Sequence, residues 1–165
     1  MGTMDTARLS FGVVLLTCVG ACQRSSDAKD FAAMQSRGEH VMGVNQYTSA
    51  HVFEDLPDGG RVVLDRADAS DTAGITTIRA HMRDIEAAFR ASDFSRPFEV
   101  HAQTVPGTAV MSARRAAISY AAVDRPRGGE VRITSGDPVA IAAIHEFLAF
   151  QRDAHRAAAH GTTTH

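Results

Sequence analysis

The sequence predicts an α+β domain in which two long amphipathic helices pack on one face of a mostly antiparallel sheet. Two pairs of β-rich stretches, each pair joined through adjacent glycines, predict two β-hairpins. Two other stretches repeat apolar residues at intervals of three and four, which is the period of a helix with one buried face. With 165 residues, of which 44% are hydrophobic, the chain is long enough for one globular domain.

The first hairpin is expected near the start of this domain. Tyr47 to Phe53 is rich in β-forming residues, and Asp58-Gly59-Gly60 supplies the residues of a tight turn. The return strand is expected from Arg61 to Asp65.

A long helix should follow, capped by Ser70 or Asp71 and ending at about Ser92. Its buried stripe is predicted to consist of Ile75, Ile78, Met82, Ile85 and Phe89. Beyond it, the stretch from Phe98 to Thr104 is predicted to be extended, and a turn leads into a short helix around residues 108–116.

The second hairpin and the second long helix complete the domain. Apolar residues alternate on both sides of the turn Arg127-Gly128-Gly129, with Ile118, Tyr120 and Ala122 before it and Val131 and Ile133 after it. The last helix is expected from Pro138 to His155, with Asp137 as its cap. Its apolar stripe is Ile141, Ile144, Phe147 and Leu148.

The first 21 residues are predicted to be a lipoprotein signal peptide. Arg8 precedes an apolar run, Phe11 to Val19, that is too short for a permanent membrane helix. Val19-Gly20-Ala21-Cys22 resembles the lipobox of bacterial lipoproteins, so Cys22 is expected to carry the lipid that attaches the protein to a membrane. Gln23 favours the outer membrane, with the protein facing the periplasm. An ordinary signal peptide for secretion to the periplasm is the alternative.

Residues 22–46 are then expected to form a tether, residues 47–158 the single α+β domain and residues 159–165 a flexible tail. Loss of Cys18 with the signal and lipidation of Cys22 would leave no thiol in the domain. This excludes disulfides, zinc-thiolate sites and a cysteine nucleophile there. The formal charge of -2 gives no electrostatic basis for binding nucleic acid.

Histidines provide the candidate site. Imidazole suits copper and zinc, and a thioether selects cuprous copper, so convergent His and Met side chains would bind a transition metal, copper before zinc. On a helical wheel His155 lies about 20° from Ile144, inside the apolar stripe, whereas His81 and His145 lie at stripe edges. The candidate ligands are His81, His145, His155, Met111, His51 and His101.

Two other functions fit the same residues. The chain contains no H-E-x-x-H motif and no histidine pair at i and i+4, so the histidines can equally be structural. The protein would then be an envelope interaction module that docks an unidentified partner on the open face of its sheet or on its helix edges. A small hydrolase, with His145 beside Glu146 or Asp153 for acid–base chemistry, is the third alternative.

Several short motifs are similar to those of a family of small, uncharacterised bacterial proteins. They are Met42-Gly43, His51-Val52-Phe53, Gly59-Gly60, Ile78 to His81, Val105-Pro106-Gly107 with Met111, and Ala143 to Gln151 with His155. The resemblance spans about residues 42–155 and implies His or Met at the six candidate positions. Val52 stands where members often have a second histidine.

Some members of that family are labelled aspartate carbamoyltransferase. Such enzymes resemble two α/β domains, each about the size of this whole chain, with a Ser-Thr-Arg-Thr phosphate loop and an active site shared between subunits. This sequence has no such loop, and a fold-level label without its site says nothing about function. The expected function is therefore that of a lipid-anchored periplasmic binding protein for a transition metal, and not that of an enzyme.

Overall fold

The structure, a computed structural model, describes residues 19–42 and 48–156, with side chains for residues 28–41 and 48–156. It confirms the α+β class, because one four-stranded antiparallel sheet packs against helices. The strands are β1 (Ser49–Leu56), β2 (Gly59–Arg66), β3 (Ile118–Arg125) and β4 (Gly128–Ser135). The helices are α1 (Val19–Met42), α2 (Thr72–Arg90), α3 (Ser95–His101), α4 (Thr108–Ala113) and α5 (Pro138–His155).

Both predicted hairpins are present, and they join side by side in the order β1-β2-β4-β3. Val62 of β2 pairs with Phe53 of β1 on one side and with Val131 of β4 on the other, so these three side chains share one face. Gly59 has a φ of +137°, and a Cβ there would lie 2.3 Å from the carbonyl oxygen of Ile133. The first turn therefore requires a glycine at this position.

Helices α2 and α5 both pack on that inner face of the sheet. Each begins at a predicted cap, because Asp71 accepts a hydrogen bond from the backbone N of Gly74 and Asp137 accepts one from the backbone N of Val139, both at 2.9 Å. Their apolar stripes meet the sheet in one continuous core. Its fully buried members are Leu64, Ile78, Met111, Val131, Ile133, Ile144, Phe147 and Leu148.

The stretch predicted to be extended after Pro97 is helical, so that prediction is wrong. The Asp93 side chain accepts a hydrogen bond from the backbone N of Ser95 at 2.9 Å and starts helix α3. Pro97 is the third residue of this helix, in the first turn, where a backbone N–H has no partner within the helix. Helix α3 ends at His101, and the left-handed conformation of Ala102 follows it.

Most of the stretch predicted to be a tether lies in helix α1. This helix has a stripe of residues spaced by three and four: Phe31, Met34, Gly38 and Val41. The stripe is hard to detect in the sequence because polar residues surround it. The stripe faces α3, and the Nε of Arg37 donates a hydrogen bond to the carbonyl oxygen of Val100 at 2.8 Å. Residues 1–18, the side chain of Cys22 and the predicted tail lie outside the described residues. The predicted cleavage site, between Ala21 and Cys22, lies within the backbone of helix α1.

The outer face of the sheet carries a network of ion pairs. Arg61 contacts Glu54 at 2.5 Å and Glu130 at 3.6 Å, and Arg125 contacts Glu130 at 2.9 Å. Val63 on this face is buried. The exposed large apolar residues of the described chain lie on four different elements, at Phe98, Val110, Val123 and Val139. Within the described residues, this open face is therefore charged and offers no broad apolar surface for a partner.

Within residues 19–42 and 48–156, no helix is both long and apolar enough to cross a membrane.

Candidate functional site

Four of the predicted residues line one partly open cavity. His51 comes from β1, His81 from α2, His101 from α3 and His155 from α5. The cavity has a volume of about 80 Å³ and lies between the inner face of the sheet and these helices. Apart from the histidines, Arg96 and Gln151, its walls are apolar: Val41, Phe53, Val62, Leu64, Met82, Ile85, Phe89, Pro97, Val100 and Phe147.

Local structure explains how each histidine reaches the cavity. His51 is in phase with Phe53 on β1 and pairs with Leu64 across the hairpin, so it lies on the inner face. His155 is the last residue of α5 and continues the buried stripe of that helix. His101 is the last residue of α3, whose helical conformation the sequence did not predict. The cavity therefore depends on α3 being a helix.

Three of the imidazole rings are in direct contact. The ring centroids of His51 and His155 lie 5.2 Å apart, and those of His101 and His155 lie 5.1 Å apart. Two imidazoles that bind one metal ion at the usual metal–nitrogen distance have centroids roughly 5 Å apart. In this trio, which we call the histidine cluster, the two pairs that include His155 have a ring spacing compatible with shared metal ligands.

Hydrogen bonds fix the proton positions on two of the four rings. The Nε2 of His101 lies 2.9 Å from the Oε1 of Gln151, and an amide oxygen only accepts, so His101 carries its proton on Nε2. The Nδ1 of His101 then bears the free lone pair. Arg96 donates from Nη1 to the Nδ1 of His81 at 3.4 Å, so His81 carries its proton on Nε2.

Two ring nitrogens have no partner among the described residues. The Nε2 of His51 and the Nδ1 of His155 are both fully buried and accept or donate no hydrogen bond. A buried polar atom of this kind normally costs about 1–3 kcal/mol of stability. The two unpartnered atoms lie on adjacent rings, so this cost in stability arises twice at one site.

All four imidazoles are held in the neutral form. Burial and then the neighbouring His81 lower the pKa of His51 to about 4, and burial and then His51 and His101 lower that of His155 to about 3. Burial and then the charge of Arg96 lower the pKa of His81 to about 4. The pKa of His101 is also lowered, mainly by burial. Neutral imidazole is the form that binds metals, so at neutral pH no proton needs to leave first.

The nitrogens are not arranged around a common point. Within the part of the chain that the structure describes, no three His, Cys, Asp or Glu side chains lie ready to coordinate one ion. Metal binding at the histidine cluster would require rotation of the rings about their side-chain bonds. The cavity beside the rings provides room for this movement.

His145 and Met111 do not reach the cavity. The Nε2 of His145 lies 3.0 Å from the carbonyl oxygen of Leu56 and 2.8 Å from that of Gly59, so it holds the β1–β2 turn. Its position at the flank of the α5 stripe directs it to the sheet edge and not to the cavity. Met111 is fully buried in the core between α4 and α5. These two predicted ligands therefore do not lie with the other four.

The structure adds three residues that sequence reasoning did not assign to the site. Met82 lines the cavity, although its helical period had marked it only as core. Gln151 supports His101 of α3, 50 residues away along the chain, and no spacing in the sequence indicates that contact. No pattern in the sequence indicated Arg96.

The arrangement gives little support to hydrolysis. Glu146 and Asp153 are exposed, and within the described residues no carboxylate lines the cavity with the histidines. Acid–base catalysis by a His–carboxylate pair would need such a group within hydrogen-bond reach of the substrate.

Comparison with known proteins identifies no relative: no protein-family model, curated protein or solved structure matches the chain.

Proposed function

We propose that the protein is a lipid-anchored periplasmic protein that binds a transition metal ion, copper first, at the histidine cluster of His51, His101 and His155. One observation carries the proposal. Two fully buried, unpartnered imidazole nitrogens, on His51 and His155, lie on rings in contact, and the ring of His101 contacts the second of them. A bound metal ion would give these two nitrogen atoms a partner.

The chemistry of the walls favours cuprous copper over zinc. No carboxylate among the described residues lines the cavity, so an incoming ion keeps its full charge in apolar surroundings. The desolvation cost of an ion rises with the square of its charge, so a divalent ion costs roughly four times as much as a monovalent one. The thioether of Met82 is also a soft ligand of the kind that selects Cu(I).

The bound ion would take the lone pairs of neutral histidines. The hydrogen bond from His101 to Gln151 leaves Nδ1 of His101 as its ligand atom and orients the ring, as a polar neighbour of a metal-bound histidine commonly does. His81 is the flanking residue, because its Nδ1 accepts a hydrogen bond from Arg96.

Copper binding is tested with the full chain, produced without a histidine tag. We expect one Cu(I) per chain in anaerobic competition with bicinchoninate, and binding at least tenfold tighter than that of Zn(II). The double variant with His51→Ala and His155→Ala should lose at least 100-fold in affinity, whereas His145→Gln and His40→Ala should bind normally. His40 is an exposed histidine on α1 and serves as the matched control.

No binding at micromolar Cu(I), or an affinity that the double variant leaves unchanged, would refute the metal proposal. Structural histidines would then be the better account.

The proposed lipid attachment at Cys22 is tested separately. Labelled palmitate should enter the protein and be absent from the Cys22→Ser variant. Equal labelling of both chains would refute lipidation at Cys22.

A further inference from the structure

A second pocket lies on the outside of the histidine cluster. It has a volume of about 330 Å³ and is formed by α1, the end of α3 and the end of α5. We call it the outer pocket. His101 is the one residue that lines both the outer pocket and the inner cavity, so the two spaces meet at its ring.

The two sides of the histidine cluster differ in charge. Arg96 forms part of the wall of the inner cavity, and its side chain is 33% exposed. Its partner Asp84, 3.6 Å away, does not line the cavity, so on that side a cation would meet the guanidinium and no carboxylate. The outer pocket instead contains two carboxylates, Asp30 and Asp153, which balance the charges of Arg37 and Arg156. A cation can therefore enter the outer pocket without net repulsion.

The outer pocket also contains soft metal ligands. Met34 of α1 lines it together with His101, and both residues are buried. A thioether and an imidazole are donors that suit Cu(I). The packing of α1 on α3 does not require a thioether, because a Leu side chain would fill the place of Met34 equally well.

We propose that the outer pocket is the route by which Cu(I) reaches the histidine cluster, with Met34 and His101 as its first donors. His101 then passes the ion from its Nδ1 to the adjoining ring of His155. This inference rests on the proposed function, since it concerns the same ion and the same cluster. The route in is also the route out, so blocking it should slow both binding and release without changing affinity.

Ala154 offers a way to block the route. It lies on α5 and lines the outer pocket, so Ala154→Trp would fill the pocket with an indole ring. Ala142 is an exposed alanine on the same helix that lines neither space, so Ala142→Trp is the matched control. The rate of Cu(I) transfer from each loaded protein to excess bathocuproine disulfonate is measured by its visible absorbance.

We expect Ala154→Trp to slow the transfer at least fivefold, with a Kd for Cu(I) within twofold of the unmodified protein. Ala142→Trp should change neither quantity. Met34→Leu should slow the transfer about threefold at unchanged Kd. If Ala154→Trp fails to fold, Gln103→Trp fills the same pocket from the exposed end of α3.

Equal transfer rates for the unmodified protein and the pocket variants, at normal affinity, would overturn the route and leave the copper site intact. A slower rate accompanied by an equal loss of affinity would overturn it as well, since the variant would then have damaged the site. Failure of the unmodified chain to bind Cu(I) would overturn the route and the proposed function together.

Discussion

His155 is a buried residue whose side chain lowers the stability of the fold. Its ring lies 5.2 Å from that of His51, 5.1 Å from that of His101 and 5.3 Å from that of Phe53, measured between centroids. Its Nδ1 is buried and has no described hydrogen-bond partner. An apolar side chain of similar size could make the same contacts without that cost, so stability alone does not explain a histidine here.

We therefore expect His155→Leu to stabilise the metal-free protein. Removal of the unpartnered nitrogen should raise the free energy of unfolding by about 1 kcal/mol, as judged by urea unfolding. The same variant should lose most of its Cu(I) affinity. His40→Leu, at an exposed position, is the control and should change neither quantity. A marked loss of stability in His155→Leu would contradict this prediction and favour a structural histidine.

At the residue scale, the sequence predicts the positions of histidines on long, periodic elements better than the position of the histidine on the short helix α3. The alternation of β1 placed His51 with Phe53, and the helical period placed His155 on the α5 stripe, and both positions are confirmed. His101 was assigned to an extended segment, because Pro97 is expected to interrupt the chain, whereas it lies in the first turn of α3, after the local hydrogen bond from the backbone N of Ser95 to Asp93. Nothing in the pattern could place the guanidinium of Arg96 beside His81.

At the element scale, His145 connects the last helix to the first hairpin. Its Nε2 lies within hydrogen-bond distance of two carbonyl oxygens, of Leu56 and Gly59, at the ends of β1 and β2. Both carbonyls belong to the turn where Gly59 adopts a positive φ. The contact fixes the β1–β2 turn against α5, which is a structural role.

His145→Ala should therefore lower the free energy of unfolding by about 1–2 kcal/mol, because the turn carbonyls lose their donor. Its Cu(I) affinity should match that of the unmodified protein. Chemical unfolding and the bicinchoninate competition measure the two quantities on the same sample. Loss of copper binding in a well-folded His145→Ala protein would show that this histidine belongs to the ligand set after all.

Local signals predict the elements whose ends are marked by specific residues. Asp71 and Asp137 cap the two long helices, and glycines occur at the starts of β2 and β4, so those four boundaries follow from short-range chemistry. Helix α1 was missed because Phe31, Met34 and Val41 form a thin stripe in a polar stretch. Such a helix gains its stability from packing on α3, which the sequence pattern alone does not reveal.

At the scale of the whole molecule, the four neutral histidines couple the fold to pH. The ordinary pKa of histidine is 6.5, whereas burial lowers the pKa of His51 and His81 to about 4 and that of His155 to about 3. Between these values the unfolded chain binds more protons than the folded one. Stability therefore falls as the pH decreases from 6.5 towards 4, and it changes little above 7.

We expect the melting temperature of the metal-free protein to drop steeply between pH 7 and pH 5. Each deeply buried histidine contributes on the order of 2 kcal/mol to the loss at pH 5. Aspartates with a lowered pKa, such as Asp71, begin to lose their contribution only below about pH 4, so the two effects are separable. A double variant with His51→Phe and His155→Leu should show a shallower slope. A melting temperature that is constant from pH 7 to pH 5 would contradict the prediction.

The meeting of four elements at one cavity is the feature that no local pattern could supply. It depends on the order β1-β2-β4-β3 and on α3 and α5 ending at the same side of the sheet. The sequence predicted the components of this arrangement, including His81 at the edge of its stripe, but not which of six candidate residues would meet. Met111 and His145 were equally reasonable candidates until their helices were placed.

The histidine cluster also has a mechanical consequence. The chain has only two cysteines, Cys18 and Cys22, so no disulfide ties the β1 hairpin to the C-terminal helix. A copper ion held by His51, His101 and His155 would act as a cross-link between three segments, each about 50 residues apart along the chain. Closing loops of that length removes conformational freedom from the unfolded chain, as a disulfide does. Copper supply would then set how long the domain survives proteolysis.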